Sequence, residues 1–326
     1  MKKQRVIRVS KKIIPALVAL GTAALAAEVI VHGYLDIMYA ERIPQGLFKR
    51  MGNKKSDKSL REIHKYNAAE NEWASKKDIE LIDLKNERDL NLKGYFLPAE
   101  KQSNVYVLFA HGYRSDHSGD PYNFIRFYHN EKGYNFMSVD HVTAGASEGD
   151  YLGFDYFECE DMLLWVNYLT ERFGKDIKII LHGVSMGGAT VCKMASRVPD
   201  QVRMIISDCA YTCASEEFLN VANSVGVNRT APLFLKIFNG MNKRLAGFDL
   251  KDTDVRPSVK EAKVPMLFVH GDADDFVPTR MVYELYDLCP TDKDLIIIPG
   301  AAHAESILIG SEKYKAKLNE FIDKHI

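Results

Sequence analysis

The stretch Asp176-Ile-Lys-Ile-Ile-Leu-His-Gly-Val-Ser-Met-Gly-Gly-Ala-Thr-Val-Cys-Lys-Met-Ala-Ser-Arg-Val-Pro199 decides the fold. Ile177, Ile179, Ile180 and Leu181 form a short apolar run that reads as a buried strand. From Met186 to Arg197 the pattern reads as a helix, and Pro199 stops it. Between the two lies Gly183-Val184-Ser185-Met186-Gly187, a G-x-S-x-G. In that setting the serine stands on a sharp strand-to-helix turn with its hydroxyl exposed. A side chain at Gly183 or Gly187 would crowd the turn, while Gly188 and Ala189 let the helix approach the sheet. A bare G-x-S-x-G arises often by chance; one between a strand and a helix is far more specific.

Working outward, Ile79 to Leu84 and Leu90 to Leu97 read as an antiparallel hairpin that turns across Asn86 to Asp89. A strand at Asn104 to Ala110 ends in His111-Gly112-Tyr113. Further strands are predicted at Tyr134 to Val139, Val202 to Ser207, Pro265 to Val269 and Leu295 to Ile298. Helices are predicted at Tyr122 to Glu131, Tyr156 to Phe173, Thr279 to Leu288 and about Ser306 to His325. This alternation predicts an α/β fold: a mostly parallel eight-stranded sheet with helices on both faces. The interval from about Thr212 to Val264 is too long for a simple connection and carries its own apolar clusters, Phe218-Leu219, Leu233-Phe234-Leu235 and Ile237-Phe238. It is expected to be a helical cap within a catalytic domain spanning residues 79–326.

A serine hydroxyl is a poor nucleophile until a base takes its proton, and the base needs an orienting partner. Both belong at the C-terminal ends of later strands, where sites of open α/β sheets gather. One later strand ends at His270-Gly-Asp-Ala-Asp274-Asp-Phe-Val-Pro278, and the last ends at Pro299-Gly-Ala-Ala-His303. The order nucleophile, acid, base therefore assigns Ser185, Asp274 and His303. Asp272 and Asp275 compete for the acid; Asp274 is preferred because it completes Gly271-x-x-Asp in a turn closing at Val277-Pro278, and a neighbour would hold the loop by side-chain hydrogen bonds. His111, His182 and His270 are read as structural, the last two pointed away from the site. The oxyanion needs two donors, for which the backbone N–H groups of Met186 and Tyr113 are the candidates.

With these pieces in place, the chain resembles the α/β-hydrolase superfamily, and within it bacterial membrane-anchored hydrolases of the serine aminopeptidase or lysophospholipase-like group. The resemblance rests on Phe109-Ala-His-Gly-Tyr-Arg, Val139-Asp140 with Ser147-Glu-Gly149, His182-Gly-Val-Ser-Met-Gly-Gly, Ser207-Asp-Cys-Ala-Tyr-Thr, Val269-His-Gly-Asp-Ala-Asp-Asp-Phe-Val-Pro and Gly300-Ala-Ala-His-Ala. It implies an α/β-hydrolase fold and supports an N-terminal membrane anchor. The expected function is a serine hydrolase cleaving a carboxylic ester or related acyl bond of a small molecule or peptide through an acyl-serine intermediate; a peptidase or acyl-thioesterase on the same triad, and a non-catalytic anchored binding protein, are the alternatives. One departure exists: where that group often has Arg-Gly-His-Gly-x-Ser, this chain has His141-Val-Thr-Ala-Gly145-Ala-Ser147.

Composition narrows the partners. The chain has 326 residues, 46% hydrophobic and 27% charged, which is ordinary globular composition. Six of its 43 basic residues lie in the first twelve positions, so the remainder is mildly acidic, which argues against a nucleic-acid partner. No histidine or cysteine pattern matches a metal site, and no cofactor is expected. Ile13 to Ala27 carries no charge, and Val29-Ile30-Val31 extends it beyond Glu28. Basic flank and apolar run together predict residues 1–40 to be a membrane segment, with residues 13–31 spanning, the N-terminus inside and the catalytic domain outside the cytoplasm. A cleaved signal peptide ending near Ala24-Leu25-Ala26, leaving a secreted protein, and a peripheral helix are the alternatives. Residues 41–78 read as a helical arm. Cys209 and Cys213 read as small buried residues, or as a disulfide if exported.

Overall fold

The computed structural model describes residues 66, 68–224, 226 and 229–326. The expected membrane segment at 13–31 and most of the 41–78 arm lie outside the described residues. Among the described residues no helix is long and apolar enough to cross a membrane.

Eight strands form one sheet: β1 (Glu80–Lys85), β2 (Asn91–Leu97), β3 (Val105–Ala110), β4 (Asn135–Asp140), β5 (Lys178–Val184), β6 (Val202–Asp208), β7 (Met266–Gly271) and β8 (Lys293–Ile298). Their order is β1-β2-β4-β3-β5-β6-β7-β8. The hairpin β1–β2 and the pair β2–β4 are antiparallel, and every other pair is parallel. Burial explains the sequence pattern. The central strands β3, β4 and β7 are buried at every position and read as continuous apolar runs, whereas the edge strand β1 exposes most of its residues. Successive side chains serve opposite faces: Leu108, Met137 and Leu181 enter one core, while Phe109, Phe136 and Ile180 enter the other.

The first core is covered by α2 (Glu158–Phe173), α3 (Met186–Met194) and α7 (Arg280–Leu288), which bury Trp165, Val191 and Leu285. The second lies under α1 (Tyr122–Arg126), which passes directly into a π-turn (Phe127–Glu131), and under α9 (Ser311–His325), whose Tyr314, Leu318 and Phe321 face inward. The C-terminal helix expected as one piece is two, α8 (Ser306–Ile309) and α9, because it breaks at Gly310, a poor helix residue. The expected helix after Ser185 is also shorter and ends at Met194. All five cysteines are buried free thiols.

Between β6 and β7 lie α4 (Ala214–Ser224), α5 (Ala231–Leu245), a 3-10 turn (Leu250–Thr253) and α6 (Arg256–Lys260). Aromatic contacts hold these helices to the loop after β4. Phe218 meets Phe154 at 5.0 Å and Phe238 at 5.3 Å, and Phe248 stacks on Tyr156 at 4.8 Å. Asp249 starts the 3-10 turn with a reciprocal capping box to Asp252.

Glu217, on α4, is buried, and neither of its carboxylate oxygens has a hydrogen-bond partner in the described structure. Burial, reinforced by the nearby Asp274 carboxylate, pushes its carboxyl up to about 9. An unfolded chain releases this proton near the ordinary glutamate value of about 4.3. Between these two values the folded chain holds a proton that the unfolded chain has lost, so this group makes stability fall as pH rises. Glu217→Gln keeps the shape and removes the titration. Urea midpoints measured from pH 5 to pH 8 are expected to fall less steeply with pH in the variant; parallel profiles would contradict the buried, protonated carboxyl.

Candidate active site

Ser185 lies between β5 and α3 with φ 56° and ψ −118°, a conformation that a non-glycine residue adopts only under constraint. The constraint is steric. A Cβ at Gly183 would lie 2.1 Å from the Gly187 carbonyl oxygen, and one at Gly187 would lie 2.0 Å from that of Ala110. Both neighbours are backbone, so neither can move aside cheaply. The Ser185 N–H donates to the Asp208 carbonyl at 2.8 Å, pinning the turn to the end of β6.

The three residues assigned from sequence come together at the ends of β5, β7 and β8. Ser185 Oγ donates to His303 Nε2 at 2.8 Å, and His303 Nδ1 donates to Asp274 Oδ2 at 2.8 Å. The other carboxylate oxygen, Oδ1, accepts from the N–H groups of Phe276 and Val277 at 3.0 and 2.9 Å. Asp272 accepts from the Gly300 N–H at 2.6 Å and so ties the loop of Asp274 to the loop of His303. Asp275 is exposed.

Two of the other histidines behave as structural residues. His111 Nε2 accepts from the His141 N–H at 3.0 Å, while its Nδ1 donates to the Gly112 carbonyl at 2.7 Å. His182 sits between the Tyr128 and Tyr314 hydroxyls at 2.9 and 3.3 Å, and burial pushes it down to about 3. His270 corrects the sequence reading. It does not point away from the site: its Nε2 donates to the Val277 carbonyl at 2.9 Å and also lies 3.2 Å from Asp274 Oδ2. Residues four apart can meet here because the chain turns back immediately after β7, which strand periodicity does not reveal.

The oxyanion loop passes close to the serine: a Cβ at Gly112 would lie 3.3 Å from Ser185 Cβ. The Gly112 N–H donates to Asp120 Oδ2 at 2.8 Å, and Tyr113 is the next residue of the same loop. Met186 is the first residue of α3, where backbone N–H groups lack intrahelical acceptors and the helix dipole favours negative charge. The loop that departs from the family pattern is built around Asp140. Its Oδ1 accepts from the His117 N–H and Nδ1 at 2.8 and 3.0 Å; its Oδ2 accepts from the Ala146 N–H at 2.8 Å and the Tyr95 hydroxyl at 3.0 Å. One carboxylate thus joins the loops after β3 and β4. Sequence reasoning missed this role, although an acid ending a buried strand was a signal for it.

Burial by itself would raise the Asp274 carboxyl, but the imidazoles of His303 and His270 outweigh it and hold the carboxyl well below its usual range. Burial opposes protonation of His303, yet the Asp274 carboxylate prevails and raises it above the ordinary value. Cys209, Asp274 and His303 place ligand-type atoms within 4.8 Å of one another. His303 already bonds Asp274 through Nδ1 and Ser185 through Nε2, so the group fits a proton-handling chain better than a metal site.

Known proteins share this architecture. The family described as serine aminopeptidase, S33, matches residues 101–247, and that described as serine hydrolase (FSH1) matches residues 244–304. YqkD of Bacillus subtilis is 23% identical over 318 residues, covering 96% of this chain and 97% of its own. The structure of the esterase Pf2001 of Pyrococcus furiosus superposes with a TM-score of 0.63 at 21% identity, covering 76% of this chain and 92% of the esterase. Est1E of Butyrivibrio proteoclasticus, in a structure holding ferulic acid, superposes with a TM-score of 0.58 at 17% identity, covering 75% of this chain and 98% of its own.

The pair Asp274–His303 sets a measurable titration. In the wild type, the His303 imidazole followed by NMR is expected to titrate above the ordinary histidine value of about 6.5. Asp274→Asn removes the charge that raises it, so the midpoint falls. A midpoint that the substitution leaves unmoved would contradict the assigned pair.

Proposed function

We propose that this chain, which belongs to the α/β-hydrolase superfamily and is a serine hydrolase, cleaves a carboxylic ester or a related acyl bond through an acyl-serine intermediate. The observation that carries the proposal is the unbroken hydrogen-bonded chain from Ser185 through His303 to Asp274.

In this reading Ser185 Oγ attacks the acyl carbon as His303 Nε2 takes its proton. Asp274 keeps the imidazole in the tautomer that leaves Nε2 free to accept, and stabilises the imidazolium that forms. The amides of Met186 and Tyr113 face the developing oxyanion; losing one such donor typically costs roughly a hundred- to a thousand-fold in rate. The protonated His303 then donates to the leaving group, and the carbonyl collapses to the acyl-serine. Water, deprotonated by the same nitrogen, releases the acid and regenerates the hydroxyl.

Esterase activity is favoured by the similarity to Pf2001, described as an esterase, and to Est1E, shown with ferulic acid bound. Peptidase activity on the same triad is the second reading, and the description of the matching family as serine aminopeptidase favours it. A thioester would use the same groups. The expected substrates are small acyl compounds or peptides.

Purified protein offered matched acyl esters, acyl thioesters and aminoacyl amides is expected to turn over the esters fastest. Ser185→Ala should lower that rate by at least about a thousand-fold, in line with the loss of a serine nucleophile. Faster cleavage of amides would favour the peptidase reading. Undiminished turnover in Ser185→Ala would overturn the assignment of the nucleophile.

A further inference from the structure

The described part of the chain exposes seven large hydrophobic side chains, and four of them stand on the cap helix α5: Leu233 at 64%, Phe234 at 39%, Ile237 at 37% and Leu245 at 46% exposure. With half-buried Met241 they occupy an arc of about 120° on the helix surface, from the 3.6-residue repeat. The adjoining arc, with Ala231, Phe238 and Asn242, is the one buried against the protein. The apolar stripe is therefore wider than packing requires, and part of it faces outward.

Charge on the helix is one-sided. Ala231–Leu245 contains Lys236, Lys243 and Arg244 and no acidic residue. All three are exposed. Lys236 and Lys243 project close together along one edge of the apolar arc, and Arg244 falls within it. Lys243 is already paired with Asp249 at 2.5 Å, so Lys236 and Arg244 are the cations this helix offers to an outside partner.

We propose that α5 is an interfacial helix that docks the cap onto an anionic lipid surface, its apolar arc entering the headgroup boundary and its cations meeting lipid phosphates. An apolar face bordered by cations is the composition such helices use. Charge decides the occupant. A second copy of the chain docking α5 on α5 would bring Lys236 and Arg244 against like charges, because the helix itself contains no carboxylate and neighbouring Asp249 is already paired with Lys243. An anionic bilayer complements it. The sequence before the described residues points the same way: six basic residues in the first twelve, then Ile13 to Ala27 without a charge, are the expected membrane segment. The cap begins directly after β6, at the sheet end where Ser185, Asp274 and His303 meet. Docking would set the cap, rather than the opposite end of the sheet, against lipid. The inference does not depend on which acyl bond is cut.

The test uses the full chain with an environment-sensitive NBD fluorophore on Ile237→Cys. All five native cysteines are buried, so an exposed introduced thiol takes the label. A control label on Asp200→Cys reports the exposed turn before β6, at the other end of the sheet. Circular dichroism checks that each variant is folded. With vesicles of phosphatidylcholine and phosphatidylglycerol, emission from position 237 is expected to shift to the blue, while that from position 200 stays unchanged. Replacing Lys236 and Arg244 together by Gln should weaken docking by roughly 30-fold, in keeping with the usual contribution of a cation beside an anionic surface. The proposal is overturned if position 237 fails to shift, if both positions shift equally, or if position 237 shifts without lipid in proportion to protein concentration, which would make a second copy the occupant.

Discussion

The site depends on one strained residue. Ser185 holds a positive φ of 56°, a conformation that costs on the order of 1–3 kcal/mol for a residue with a side chain. Nothing local favours it, so its surroundings must impose it. They do so with two glycines that let backbone meet backbone and with the Ser185 N–H bonded to Asp208 at the end of the neighbouring strand. The strain points the hydroxyl at His303 and sets the Met186 amide at the opening of α3. Position and orientation are fixed before any substrate arrives, which is how a weak nucleophile becomes a useful one.

The rest of the sheet serves that turn. Parallel neighbours β3, β5, β6, β7 and β8 bring their C-terminal ends to one edge, and the loops leaving that edge carry Tyr113, Ser185, Asp274 and His303. Each loop is then tied to another by a side chain. Asp272 joins the acid's loop to the base's loop, and Asp140 joins the loops after β3 and β4. Asp274 itself is held by two backbone N–H groups and two imidazoles, which favour the carboxylate against the opposing effect of burial.

Much of this was legible in the sequence because local signals coincided with global ones. Gly183 and Gly187 around Ser185 mark a turn that only glycine permits, and Asp274 and His303 each follow an apolar run in the required order. Strand-end placement was therefore readable without coordinates. What escaped was contact between side chains brought together by loops. Strand periodicity points His270 away from the site, yet it touches Asp274, because the turn after β7 reverses the chain within four residues. Asp140 was matched only as part of a family pattern, while its four hydrogen bonds depend on loops whose conformation no periodicity encodes. The split of the last helix at Gly310 was likewise invisible to an amphipathic pattern that continues across it. The length and apolar clusters of the β6–β7 interval make its helices legible, whereas the apolar outer arc of α5 shows only once the buried arc is known.

The central claim is that the fold activates the Ser185 hydroxyl, and its most direct test is to locate a covalent adduct. Folded protein treated with a fluorophosphonate, digested and sequenced by mass spectrometry, is expected to carry the phosphonate on Ser185 alone. Protein unfolded in urea before treatment is expected to carry none there, because the turn and His303 no longer hold the hydroxyl. An adduct on a different residue, or equal labelling of Ser185 in the unfolded chain, would contradict the account.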